Sequence, residues 1–372
     1  MNRLFHLTGL AVIALTVLGC KDKNGPVIPV PEKTVVAAYI DLRKAYGDGK
    51  DFAKKIICEL PSELRGSVQE GYENALKEID KVKDPLNPEW VVIAFGGDPK
   101  TLAKEADKCI AFAAKIDADE NTVTKVLQDL ASGGKVTIEK QDGNIICVDD
   151  EERTGLVDGK YLIGATSKEA FDEMFDLYAG KGKASDEFND LSRISGNTAC
   201  RISTAPVSSL LKRFELAKHV DRFGKDSQDK EMADLIRYMG SVSLDIAFAD
   251  GGEVVLRVEC DSPDHAEMVD GVFQLLAFAN RVTGAALLYA VKRENGNPFQ
   301  KVTWLASFVQ TDRFKKLIRS SKANRDGNTA EIRSGSGLIS IPFILATVAT
   351  PTFVKYRNDS RNDDPDHFLP NW

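Results

Sequence analysis

Residues 242–260 read Val-Ser-Leu-Asp-Ile-Ala-Phe-Ala-Asp-Gly-Gly-Glu-Val-Val-Leu-Arg-Val-Glu-Cys. Two strand-like runs, 242–249 and 253–260, flank Asp250-Gly251-Gly252. Such a turn accepts positive φ and folds its flanks into an antiparallel hairpin. A second turn of this kind, Asp142-Gly143-Asn144, stands earlier in the chain, and a third is Asn295-Gly296-Asn297. Sheets built from hairpins are antiparallel and are commonly covered on one face. Helix periodicity lies between these strands. In 120–132 the apolar positions Val123, Val126, Leu127 and Leu130 follow the i, i+3, i+4, i+7 spacing. The fold class expected is therefore α+β, mainly antiparallel, with covering helices.

The order of these elements occurs twice. Ile93-Ala94-Phe95 recurs as Ile246-Ala247-Phe248, and Asp142-Gly143-Asn144 recurs at the same separation. Tyr161-Leu162, Phe171 and Met174-Phe175 find counterparts in Trp304-Leu305, Phe314 and Leu317-Ile318. Val36 to Ile40 matches Thr198 to Ile202 more weakly. These pairings predict two tandem similar units, 35–196 and 197–320. Each starts with a strand, near 35–41 or 198–204, followed by a helical region, 50–80 or 205–239. Strands at 90–96 and 108–116 answer to the hairpin of the second unit. The counterpart of the helix at 120–132 carries Met268, Val272, Leu275, Leu276 and Ala279. A short closing helix presents Phe171, Met174, Phe175 and Tyr178, with Ser167 as its N-cap and Thr311 as the equivalent cap in the second unit. This layout resembles two-repeat envelope proteins of unknown function from several bacterial phyla, which carry no activity to transfer.

The first residues point to the cell envelope. Arg3 precedes an apolar stretch from Leu4 to Leu18, too short for a spanning helix and of the length of a signal h-region. It ends in Val17-Leu18-Gly19-Cys20, which resembles the lipobox of a bacterial lipoprotein precursor. That resemblance implies cleavage after residue 19, acylation of Cys20 (diacylglycerol, palmitate) and attachment on the periplasmic side of a membrane. Lys21, where Asp would favour inner-membrane retention, leans towards the outer membrane. Residues 20–34 are polar with Pro26, Pro29 and Pro31, which suits an extended tether.

The remaining composition is that of a globular protein, 43% hydrophobic and 28% charged over 372 residues, enough for a sizeable core. A net charge of −7 without a basic stripe excludes nucleic acid as an expected partner. Once Cys20 is acylated, Cys58, Cys109, Cys147, Cys200 and Cys260 remain, an odd number at irregular spacing. That is no disulfide framework, and without a C-x-x-C pair it is no zinc motif. The last four of these cysteines sit in apolar runs and read as small buried hydrophobes.

Residues 321–337, rich in Ser, Asn, Gly, Lys and Arg, read as a linker. Leu338 to Val354 then run seventeen residues without a charge, ahead of Lys355, Tyr356 and Arg357 and a charged tail to 372. Three readings of this run stand side by side: a segment packed on its own domain, a second membrane contact, or a partner-docking helix. Its end resembles the end of a type IV pilin N-terminal helix, although it lies at the opposite end of the chain. Its linker and flanking basic residues suit projection from the fold, and Pro342 and Pro351 suit a bent packed segment.

No constellation for chemistry stands out. His6, His219, His265 and His367 form no metal-ligand pair, and neither H-E-x-x-H nor G-x-S-x-G occurs. Gly180 to Ser185 lacks phosphate-loop spacing and reads as a basic loop after a helix. Asp117, Asp119 and Asn121 have the 1-3-5 spacing of a calcium loop, but Thr122 and Gln128 replace its Gly and Glu, so a capped helix start fits better. Asp149 to Glu152 reads as a solvated carboxylate run. No catalytic residue, metal or cofactor is expected, and Cys20 is the one site assigned. The function class that follows is a cell-envelope lipoprotein acting as a scaffold or binding protein, with a membrane, through its lipid, and another envelope protein as the expected partners. An envelope hydrolase without a recognisable motif, and a pilus- or secretion-associated accessory lipoprotein, are the alternatives.

Overall fold

A computed structural model describes residues 27–59, 62–130, 137–141, 144–149, 152–194, 196–216, 220, 236–249, 252–292 and 321–335. Cys20, the 295–297 turn, Trp304, Thr311, Phe314 and the run 338–354 lie outside them.

The first unit begins with β1 (Thr34–Asp41), α1 (Leu42–Glu59) and α2 (Ser62–Leu86). β2 (Trp90–Gly96), α3 (Pro99–Lys104), β3 (Ile110–Lys115) and α4 (Glu120–Leu130) follow. It closes with β4 (Thr137–Gln141), β5 (Asn144–Asp149), β6 (Glu152–Val157), β7 (Tyr161–Ala165) and α5 (Lys168–Tyr178). The second unit has β8 (Thr198–Thr204), α6 (Val207–Arg213), β9 (Met239–Ala247), β10 (Glu253–Cys260), α7 (Pro263–Lys292), β11 (Lys322–Asp326) and β12 (Thr329–Gly335). The α+β class and the antiparallel pairing are as expected: every described strand pair is antiparallel.

All described strands join one sheet, twelve of them in the order β11-β12-β10-β9-β8-β1-β2-β3-β7-β6-β5-β4. The first strands of the two units pair at its centre, where Tyr39 lies opposite Arg201. From that pair the two halves repeat the same order outward, with β2 and β3 on one side and β9 and β10 on the other. Tyr39 also pairs with Val92, and Arg201 with Asp245. Ile93 and Ile246, the first residues of the repeated Ile-Ala-Phe, are thus the next residue in each strand. One register row crosses the molecule: Ile163, Ala113, Val92, Tyr39, Arg201, Asp245, Val255, Arg333. Residues directly opposite in antiparallel strands point to the same face, so this row lies on one side of the sheet.

In the first unit that side is apolar. Tyr39, Val92, Ala113 and Ile163 form a core with Phe171, Met174, Phe175 and Tyr178 of α5. Rings pack across it, Tyr161 and Tyr178 having centroids 5.0 Å apart and planes tilted by 58°. Ser167 caps α5 by accepting from the Ala170 amide at 3.2 Å. The opposite side is covered by α1 and α2, with Phe52, Ile56 and Val68 against Ile40 and Cys200, and by Val123, Val126 and Leu127 of α4.

Three expectations are corrected. Residues 28–31 are not tether. Ile28 and Val30 point into the core of the first unit, and the Val30 carbonyl accepts from the Ser185 amide at 2.9 Å. Alternation of Ile and Val with Pro29 and Pro31 makes an edge segment whose missing amides no neighbour needs. Residues 321–337 are not a linker over 322–335. They form the β11–β12 hairpin, turned at Gly327 with φ +56, and Ala330 is fully buried. Polar composition concealed the alternation of an edge hairpin, and the second unit consequently extends past 320. The third correction concerns α7. Its core face is Ala266, Val269 and Phe273, with Ala277 also buried, while the expected face, Met268, Val272, Leu275 and Leu276, is exposed. The helix is apolar on more than one side, so a 3.6-residue period could not fix which side turns inward.

Candidate functional site

Where the register row crosses into the second unit it becomes charged. Asp245 on β9 is 1% exposed. Arg201 on β8 grips it with two bonds, Nε to Oδ1 at 2.7 Å and Nη2 to Oδ2 at 2.9 Å. Arg257 on β10 donates to Oδ2 from the other side. Its Nε reaches Glu331 on β12 at 3.2 Å, and Glu331 accepts from Arg333 Nε at 2.7 Å. Arg333 also lies 3.7 Å from Glu253. Positive and negative groups alternate across four strands. Arg201 is further fixed by the Asp190 carbonyl at 3.1 Å, so the ladder is tied to the first unit.

Burial alone would raise the Asp245 carboxyl. The hydrogen bonds and charge of Arg201, with the charge of Arg257, outweigh it and hold the group below its ordinary value. Glu331 is likewise lowered: burial opposes, and Arg333 and Arg257 prevail. Both carboxylates are thus kept ionised, the opposite of a general acid. Removing these charges from water requires mutual pairing, which the alternation supplies.

A second feature is the outer side of α7. Met268, Val272, Leu275, Leu276, Phe278 and Val282 are exposed along one stretch of helix, Leu275 by 69% and Phe278 by 64%. Scattered exposed apolar side chains are normal, whereas a contiguous group marks a contact surface.

A third is Lys44 in the first turn of α1. It is fully buried, its ammonium has no hydrogen-bond partner among the described residues, and it stands 3.7 Å from the Asp41 carboxylate. Burial raises the Asp41 carboxyl despite its bonds from the Lys44 amide and the charge of Lys44.

None of these three was legible as a site in the sequence. Arg201 and Asp245 are 44 residues apart and become neighbours through strand pairing alone. The residues weighed for chemistry fall elsewhere. Asp119 caps α4, accepting from the Asn121 and Thr122 amides at 2.9 and 3.0 Å. Asp149 and Glu152 pair across the end of the β5–β6 hairpin. His265 contacts Asp261 and Ser262 and stacks on Tyr238 with centroids 4.0 Å apart. Cys109, Cys147, Cys200 and Cys260 are free and buried, and Cys58 is exposed. Burial pushes the Cys200 thiol far above its ordinary value, which makes it inert. No group of three metal-binding side chains occurs among the described residues. No described helix is long and apolar enough to cross a membrane.

The described elements define an α+β protein built on one large antiparallel sheet. Among solved structures the chain is similar to crystal forms I, III and IV of TP0453, at 10% identity and TM-scores of 0.39, 0.40 and 0.39. The first of these alignments covers 89% of this chain and 98% of the other, the second 88% and 99%. No protein-family model and no curated protein matches the chain.

Proposed function

We propose that the protein is a cell-envelope lipoprotein, anchored through Cys20 on the periplasmic side of a membrane, which serves as a scaffold or binding body. The observation that carries this reading is the place where the fold begins. Ile28 and Val30 are core residues, and the Tyr178 hydroxyl donates to the Pro29 carbonyl at 3.3 Å. The chain between an acylated Cys20 and Ile28 can extend only about 30 Å, at about 3.3–3.6 Å per residue. An anchor there would hold the first unit close to the headgroups instead of on a long leash. Lys21 favours the outer membrane for that attachment. The charge ladder fits a scaffold better than a catalyst, because its carboxylates are neutralised by fixed arginines.

Radiolabelled palmitate fed to cells expressing the full precursor tests the anchor. Label should enter the wild type and be absent from Cys20→Ser, and the variant should leave the membrane fraction. Equal labelling of both proteins would refute the assignment.

A further inference from the structure

The described sheet ends in two edge strands, β4 and β11. We infer that β11 is a seam on which a second copy of this chain pairs, antiparallel and in register about Asn324.

β11 joins β12 through the two-residue turn Gly327-Asn328, flanked by the pair Asp326 and Thr329. Residues flanking such a turn are hydrogen-bonded to each other. Bonded and non-bonded positions alternate along an antiparallel ladder. Lys322, Asn324 and Asp326 therefore direct their amides and carbonyls to β12, and Ala323 and Arg325 direct theirs away from it. These outward groups meet no described strand. An unpaired row of this kind is a template for another chain.

The side chains specify which chain. Lys322, Asn324 and Asp326 are exposed and, two residues apart, share one face of the strand. Lys322 and Asp326 have opposite signs and stand at equal distances from Asn324. In a second β11 laid antiparallel, with Ala323 opposite Arg325 of the copy, the outward amides and carbonyls of both strands bond. Asn324 then faces Asn324 of the copy on the two-fold axis, and Lys322 faces Asp326 of the copy at both ends. Opposite charges directly across an antiparallel pair attract. Arg325 adds no repulsion, because it faces Ala323 and its guanidinium is held by Glu267 at 2.7 Å. The register row that crosses the molecule to Arg333 reaches Lys322, and through the seam it passes on to Asp326 of the copy.

The alternatives lack this complementarity. Gln141 and Asn144 flank the turn beside β4, so its equivalent centre is Glu139, which is exposed. Self-pairing there would set two carboxylates against each other. β11 laid on β4 of another copy would set Lys322 against Gln141 and Asp326 against Thr137, with no opposite charges paired. A closed two-fold dimer is thus favoured over an open chain of sheets. α7 leaves room for it. The helix packs on β10 and β12, with Ala323 at its margin. The two β12 strands would stand about 14 Å apart, three strand spacings of about 4.7–4.9 Å, wider than the about 8–10 Å at which packed helices meet.

Disulfide trapping and charge exchange test this in the full mature chain carrying Cys20→Ser and Cys58→Ser, without lipid. Asn324→Cys should form a linked dimer under mild oxidation, because facing residues at a non-bonded position stand about 4.5 Å apart at Cα, within disulfide reach. Lys322→Cys should stay unlinked, its two copies being about 13 Å apart along the strand. In sedimentation equilibrium, Lys322→Asp should weaken the dimer about tenfold, because two attractive pairs become repulsive. Asp326→Lys should do the same. Lys322→Asp with Asp326→Lys restores the complement and should return the dimer to the strength of the parent. A monomer at every concentration with no Asn324→Cys link would overturn the inference. So would a dimer indifferent to both single reversals, or equal linking of the two cysteine variants.

Discussion

Asp245→Asn removes one negative charge from between two arginines and changes almost nothing in shape. Asp245 is 1% exposed, Arg201 15% and Arg257 21%, so water cannot take over the role of the lost carboxylate. Arg257 keeps Glu331, but Arg201 keeps no described carboxylate within bonding distance once Asp245 is neutral. Breaking a buried pair by removing one partner costs about 3–5 kcal/mol. Urea unfolding of the Cys20→Ser protein measures it. With a slope of about 1–3 kcal/mol per molar, the midpoint should fall by about 1 M or more. A second variant isolates the cause. Arg201→Tyr with Asp245→Val and Arg257→Met installs the first unit's residues, Tyr39 and Val92, at the two equivalent positions. Replacing a buried ion triad by apolar groups is often neutral or stabilising by about 1–4 kcal/mol, and Glu331 keeps Arg333 at 2.7 Å, so this triple variant should recover most of the loss. If Asp245→Asn costs less than about 1 kcal/mol, the ladder is not a buried, mutually dependent cluster and the reasoning fails.

The remaining expectations concern pH, backbone and core. Asp245 and Glu331 are lowered from ordinary values of 3.8 and 4.5, so their stabilisation is complete above those values and is lost as pH falls through the lower folded ones. Urea midpoints should therefore drop below about pH 4, and drop less in Asp245→Asn; a midpoint flat down to pH 2 would contradict this. Gly96→Ala would bring a methyl 2.5 Å from the Lys33 carbonyl oxygen and 2.6 Å from Thr34 Cα, both backbone, and should cost about 1–3 kcal/mol by chemical denaturation. Gly66→Ala, in α2 with nothing within 4 Å, should stabilise by about 0.5–1 kcal/mol; the reverse order of the two would count against the described β1–β2 contact. Phe273→Ala should cost about 3–5 kcal/mol, because Phe273 is 5% exposed on the core side of α7, and a neutral result would mean the helix faces the other way.

Local chemistry was readable from the chain. The turn sequences read at 142–144 and 250–252 fall between strands that pair with each other, β4 with β5 and β9 with β10. Gln141 pairs with Asn144, and Gly252 has φ +84. Ser167 and Asp119 cap helices because a short polar side chain reaches its own amides. Strands β1 to β3 and β8 to β10 followed from period and order, and with them the α+β class, whereas the polar β11–β12 hairpin did not. Only the tertiary structure decided that the two units share a sheet through Tyr39 and Arg201. It alone brought Arg201, Asp245, Arg257 and Glu331 into one ladder, and it alone chose Phe273 over Leu275 as the core side of α7. The reason is common to all three. Turns and caps are satisfied within a few residues, so their signal is contained in them. Which edge pairs with which, and which apolar side of a helix is covered, depends on burial against distant segments, and an isolated stretch of chain carries no record of its neighbours.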